Sequence, residues 1–201
     1  MNQSNHIPHP IESVLLAPLE EKLIERLRAV RMMAFDVDGV LTDGQLWYGP
    51  QGELFKGFHA LDGHGLRLLK ECGIAVALIT GRESDIVTRR ASELGIAVVH
   101  QNVRDKLGCL KEIAHEAQLS IEQVGYMGDD LIDLPALRHV GFAAAVPNAP
   151  HYIRQLAHWV ATVPGGSGAA RQCCDLILAA QGRLGAYFSA ANPSGLTGVI
   201  Q

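Results

Sequence analysis

Asp36 and Asp38 stand two residues apart in FDVDGVLTDG (35–44), and Asp129 and Asp130 follow the apolar run QVGYMG (123–128). Alternate residues of a strand face the same way, so Asp36 and Asp38 can share one site. Carboxylates from separate strands, Asp36 and Asp129, form a hard oxygen set suited to Mg²⁺, which is held by few protein ligands plus water. Beside a phosphate, such an ion neutralises charge and permits one carboxylate to attack phosphorus through an aspartyl-phosphate intermediate. Thr80 in ITGR (79–82) and Lys106 would then brace the equatorial phosphoryl oxygens, where stabilisation is mainly electrostatic.

Each residue also has an ordinary role open to it. Asp38-Gly39 among alternating apolar residues is a strong signal for a tight hairpin turn. Thr80 with Glu83 matches a helix capping box, and Lys106 at a helix start can be a solvated charge. Asp129-Asp130 can be turn residues or acids at a helix N-terminus, and Asp133 before Leu134-Pro135 reads as a cap rather than a ligand. Asp43 reads as a turn residue leading out of the stretch.

What favours chemistry is the set of elements that must position these groups. Apolar runs at 32–37, 74–80, 96–101, 123–128 and 142–146 alternate with helical patterns near 63–72, 84–94, 105–118 and 134–140. Continuous apolar runs imply strands buried on both faces, hence a doubly wound, Rossmann-like α/β fold on a parallel sheet. Ligands bind such sheets beyond the carboxyl ends of the strands. There lie Asp36 and Asp38, then Thr80 and Arg82, then Lys106, then Asp129 and Asp130. Residues 44–58 read as a β-hairpin around Gly49-Pro50-Gln51-Gly52, 18–31 as an amphipathic helix and 168–187 as a final helix. One domain over 18–187 is expected, with flexible segments at 1–17 and 188–201.

The 201 residues are 48% hydrophobic and 19% charged, with a net charge of −4, which argues against electrostatic nucleic-acid binding. Four cysteines without metal-ligand or disulfide spacing fit a reduced, cytoplasmic protein. Residues 1–17 lack the pattern of a secretory signal, and no apolar run reaches the roughly 20 residues of a membrane span.

DVDGVLTDG, ITGR, DK and GDDLID, in that order, resemble the four motifs of the haloacid dehalogenase superfamily of phosphotransferases, over roughly residues 30–187. The resemblance implies that Asp36 is the nucleophile and Asp38 the general acid/base. It further implies that Thr80 and Lys106 bind phosphate, and that Mg²⁺ is held by Asp36, Asp129 and the backbone carbonyl of Asp38. The gaps between motifs leave no room for a cap domain. A capless chain with a hairpin flap, GFHALDGHGLR and GGSGAARQCCDLIL is similar to the 3-deoxy-D-manno-octulosonate 8-phosphate phosphatase family. That likeness implies a cytoplasmic homotetramer in lipopolysaccharide precursor synthesis, with hairpins or tails from neighbours closing each site. It places Asp38, His59, Ala60, Leu61, Asp62, Gly63, Arg67, Arg82, Arg90 and Lys106 against the substrate. Three arginines and a lysine suit a sugar acid bearing a carboxylate and a phosphate. Two positions depart from the family pattern: Leu61 where many relatives have Arg, and Gln172 where Glu is usual. Competing readings are a phosphatase for another sugar-acid phosphate such as a nonulosonate 9-phosphate, a phospho-Asp receiver-like signalling domain, and a non-catalytic scaffold.

Overall fold

A computed structural model describes residues 9–188. In chain order the elements are α1 (Pro10–Leu16), α2 (Glu21–Ala29), β1 (Met32–Phe35), β2 (Trp47–Gly49), β3 (Gly52–Phe55), α3 (Ala60–Glu71), β4 (Ala75–Ile79) and α4 (Asp85–Glu93). They continue with β5 (Val98–His100), α5 (Lys106–Glu116), β6 (Val124–Gly128), α6 (Leu134–His139), β7 (Phe142–Ala145), α7 (His151–Arg154), β8 (Trp159–Val160) and α8 (Ala169–Ala180).

Six strands form a parallel sheet in the order β5-β4-β1-β6-β7-β8, and β2 and β3 pair separately as an antiparallel hairpin. All residues of β1, β6 and β7 are buried, the two-sided burial that continuous apolar runs imply. The chain places β1, steps outward through β4 to β5, then returns to lay β6 on the other side of β1. The strand order therefore reverses at β1, where the crevice of a doubly wound sheet opens. Helix α8 carries nine buried residues and packs on α3, α1 and α2, while α5 packs on α6.

Two stretches differ from expectation. Residues 10–16, within the segment expected to be flexible, form a helix: Pro10 sits at its start, where a missing N–H costs nothing, and His9 and Glu12 complete a capping box. Glu12 is fully buried and accepts from the Gly185 N–H (2.7 Å) and the His9 N–H (3.0 Å), while the His9 ring stacks on Phe188 at 5.7 Å. The expected final helix stops at Ala180, and a 3-10 turn follows at Leu184–Tyr187. The expectations for 1–8 and 189–201 lie outside the described residues.

Candidate active site

The first strand does not turn back as a tight hairpin at Asp38-Gly39. Asp36 still extends the ladder, its N–H donating to the Met127 carbonyl at 2.9 Å; three successive N–H groups, of Val40, Leu41 and Thr42, then converge on the Val37 carbonyl. Gly39 has φ +90°, and a Cβ there would lie 2.1 Å from Asp129 Oδ2, so glycine both permits the turn and lets the β1 and β6 ends approach. Asp43 is a turn residue, accepting from the Gln45 N–H at 2.9 Å.

Asp36, Asp129 and Asp133 each offer a carboxylate oxygen within 4.8 Å of the others. Lys106 lies among them, buried rather than solvated, donating from Nζ to Asp36 Oδ2 (2.9 Å) and Asp133 Oδ1 (2.6 Å). Asp133 is more than a helix cap. Its Oδ1 also accepts from the buried Tyr126 hydroxyl (2.6 Å), and its Oδ2 accepts from the N–H groups of Asp129 (2.9 Å) and Asp130 (3.1 Å). Both oxygens are thus committed to holding the β6 loop and Lys106 in place, which leaves Asp36 and Asp129 as the ligand-capable pair.

The electrostatics follow from three acids and one ammonium. Burial, and next the charge of Asp133, push the Asp36 carboxyl up to about 7. Burial, then the charges of Asp36 and Asp133, push Asp129 up to about 8. Burial alone would lower Lys106, but the carboxylates of Asp36 and Asp133 outweigh it and raise the ammonium above its usual value. An oxygen cluster this rich in negative charge fits a hard divalent cation.

Thr80 does not cap α4. The helix begins after Ser84, and Thr80 Oγ1 accepts from the Arg82 N–H at 3.3 Å. Thr80 is buried beside the end of β1, as a group aimed at the same edge must be. Arg82 lies next to Asp38, Nε to Oδ2 3.6 Å, and Nη2 donates to the Tyr48 hydroxyl of the hairpin at 2.6 Å. The hairpin brings in two residues that the sequence reading did not single out. Lys56 donates to Asp38 Oδ1 (2.5 Å) and pairs with Glu53 Oε1 (2.9 Å); Glu53 Oε2 accepts from the Ser84 hydroxyl.

The other expected substrate residues sit elsewhere. Ala60, Leu61, Gly63, Arg67 and Arg90 line a cavity of about 600 Å³ between α3 and α4, whose lining includes none of Asp36, Asp38, Asp129 and Asp133. The Gly63 Cα is closely faced by the Arg90 guanidinium, which also lies over the Phe58 ring at 5.9 Å. Asp62 is buried and accepts from the N–H groups of Gly168 (3.2 Å) and Arg171 (2.8 Å), fastening the start of α8 to α3. His59 precedes α3 with its Nδ1 buried and without a hydrogen-bond partner among the described residues. Gln172 accepts from the Thr162 N–H (2.9 Å) and donates to its hydroxyl (2.8 Å), tying α8 to the loop after β8.

A profile of the haloacid dehalogenase-like hydrolases matches residues 83–171. The chain is 43% identical to a 3-deoxy-D-manno-octulosonate 8-phosphate phosphatase of Yersinia pestis over 167 residues, 83% of this chain and 89% of the relative. It belongs to that phosphatase family. The Escherichia coli K12 member is 39% identical over the same shares of the two chains. A Moraxella catarrhalis octulosonate 8-phosphate phosphatase, solved with magnesium, phosphate and a KDO molecule, superposes with a TM-score of 0.82 at 40% identity, covering 85% of this chain and 98% of that one. The parallel α/β architecture is that of the solved octulosonate phosphatases. Magnesium is the cofactor, and the acid cluster fits it.

That fit has a pH signature. Asp36 and Asp129 titrate above an unfolded carboxylate, so in metal-free protein their protonated forms favour folding; that contribution is full below about pH 4 and is lost as pH rises through 7 and 8. A cation relieves the repulsion that appears in that window. The rise in melting temperature on adding Mg²⁺ is therefore expected to be several degrees larger at pH 8.5 than at pH 6, measured by calorimetry. An equal or larger rise at pH 6 would contradict the assignment.

Proposed function

We propose that the chain hydrolyses 3-deoxy-D-manno-octulosonate 8-phosphate to the free sugar acid and inorganic phosphate, in lipopolysaccharide precursor synthesis. The observation that carries the chemistry is the convergence of Asp36 with Lys106 and Asp129 at the ends of adjacent parallel strands, with Asp38 two residues on. The substrate rests on relatives named for it at about 40% identity. Neither a nine-carbon substrate nor a receiver domain is favoured by those likenesses.

Asp36 attacks phosphorus and the ester P–O bond breaks, giving an acyl phosphate and an alkoxide that takes a proton from Asp38. Asp38 then removes a proton from water as its oxygen attacks phosphorus; the Asp36–phosphorus bond breaks, releasing phosphate and restoring the Asp36 carboxylate and the protonated Asp38. Lys106 holds Asp36 and faces the developing charge, and Thr80 offers a hydroxyl at the same strand edge. Asp36, Asp129 and the Asp38 carbonyl would hold Mg²⁺, which neutralises phosphoryl charge when bound.

Recognition of the sugar acid is assigned to Arg82 beside Asp38 and to the α3–α4 cavity with Arg67 and Arg90. A homotetramer, with hairpins or tails of neighbouring copies closing each site, is part of this proposal. What supports it is the hairpin, which exposes Leu46, Trp47, Tyr48, Leu54 and Phe55 on two strands that are marginal alone. A cytoplasmic location agrees with four free cysteines. Among the described residues no helix is long and apolar enough to cross a membrane.

The test is phosphate release from octulosonate 8-phosphate and from a nonulosonate 9-phosphate, with and without Mg²⁺. Release is expected to favour the eight-carbon ester, to stop on chelation and to return when Mg²⁺ is restored. Preference for the nine-carbon ester would overturn the substrate, and chelator-resistant release would overturn the chemistry.

A further inference from the structure

We propose that Lys56, carried on the hairpin, is a positioning residue for Asp38: it fixes which carboxylate oxygen exchanges the proton, with Glu53 holding Lys56 in place. The inference rests on the acid/base role given to Asp38 above and adds to it a residue from a different element.

Lys56 has a side chain 1% exposed, although it lies on the segment leaving a two-stranded hairpin whose apolar side chains face solvent. A lysine is buried that far only when its charge is satisfied. Its ammonium bridges Asp38 Oδ1 at 2.5 Å and Glu53 Oε1 at 2.9 Å. Glu53 is in turn held by the Ser84 hydroxyl, at the start of α4, and lies 3.6 Å from Arg82 Nη2. Two acids, a lysine and an arginine thus form a neutral quartet that fastens the hairpin to the loop after β4. Tyr48 adds a third link through Arg82.

The asymmetry at Asp38 is what gives the quartet a catalytic consequence. Oδ1 accepts a 2.5 Å hydrogen bond from the Lys56 ammonium, whereas Oδ2 is buried, makes no hydrogen bond among the described residues and has Arg82 Nε at the longer distance of 3.6 Å. A proton on Oδ1 would oppose the N–H that Lys56 directs at it, since an ammonium donates and does not accept. The hydrogen-bonded Oδ1 is therefore the disfavoured site for the proton, Oδ2 is left to exchange it with the leaving alkoxide and with water, and the Lys56 hydrogen bond opposes rotation of the carboxyl group. Holding a catalytic group in a single orientation is worth orders of magnitude in rate, because the geometry is set before the reaction begins.

The test compares Lys56→Met and Lys56→Arg with wild type on two esters: octulosonate 8-phosphate, whose alkoxide must be protonated, and p-nitrophenyl phosphate, whose leaving group needs no proton. For Lys56→Met, kcat on the sugar ester is expected to fall by about 10²-fold, the usual contribution of a placed acid or base, with KM shifted by less than about 3-fold. On p-nitrophenyl phosphate, rapid mixing is expected to show a burst of one nitrophenolate per site, with the first turnover within about 10-fold of wild type, followed by slow steady-state release as water attack becomes limiting. Lys56→Arg, which keeps the charge, is expected to recover at least about a tenth of the lost rate. Unchanged kcat on the sugar ester in Lys56→Met would overturn the positioning role while leaving the phosphatase reading intact. So would equal loss of the burst and of the sugar-ester rate, which marks a merely structural lysine. Absence of turnover in wild type on both esters would instead sink the underlying reading.

Discussion

Asp36→Asn is expected to remain folded, to melt no lower than wild type in the absence of metal, and to lose turnover by about 10⁴-fold or more, the scale seen when the nucleophile of a covalent mechanism is removed. The two halves of this result have one cause. An amide cannot form an acyl phosphate and return as carboxylate, so the proposed covalent path closes. The same change removes a negative charge from a group of three acids, two buried and one half-buried, that has one ammonium between them. Lys106 keeps its 2.6 Å partner Asp133, and repulsion on Asp129 is relieved. A variant that is inactive and no less stable separates chemistry from folding in a single protein. Phosphate release and calorimetry without Mg²⁺ measure the two halves; residual activity above about one part in a hundred would rule out Asp36 as nucleophile.

Lys106→Met is expected to act in the opposite way, removing stability and activity together. Methionine matches the reach of the lysine stem, so packing changes little and the loss is electrostatic. Asp36 and Asp133 would then be buried acids without their cation, and breaking a buried pair costs about 3–5 kcal/mol. At the size of this domain that corresponds to a fall in melting temperature of roughly 6–20 °C. Removing the ammonium raises the folded-state affinity of Asp36 for protons. The deficit should therefore shrink as pH falls and grow as it rises. Adding Asp133→Asn to Lys106→Met is expected to recover part of the melting temperature and none of the turnover. A single variant that melts within a degree of wild type would show that the ammonium is not the counter-charge holding the cluster.

The parallel sheet was legible because burial on both faces writes itself as unbroken apolar runs, and the strand ends then point to their own chemistry. Asp36, Thr80, Lys106 and Asp129 could be gathered that way, since each follows directly on, or closely after, a strand. Residues whose importance depends on a partner far along the chain were not legible. Asp133 looks like a helix cap until Lys106 and Tyr126 are seen to converge on it. Glu53 and Lys56 look like solvated charges on a hairpin, because their partners Ser84 and Asp38 belong to other elements. Asp62 sits among pocket residues in sequence yet serves α8, more than a hundred positions away. The two-residue strand β8 carries too little pattern to be recognised, and Pro10 reads as a breaker although at a helix start it is a beginning.

The contact of Glu12 with Gly185, and of His9 with Phe188, brings the two ends of the described chain side by side. In topological terms residues 9–188 form a ring with one open link. A short flexible bridge across that link would add little chain entropy, because the native fold already holds the ends together. The order in which the strands leave the ribosome is then separable from the architecture they build. A circular permutant reopened at an exposed turn away from the acid cluster should assemble the same sheet.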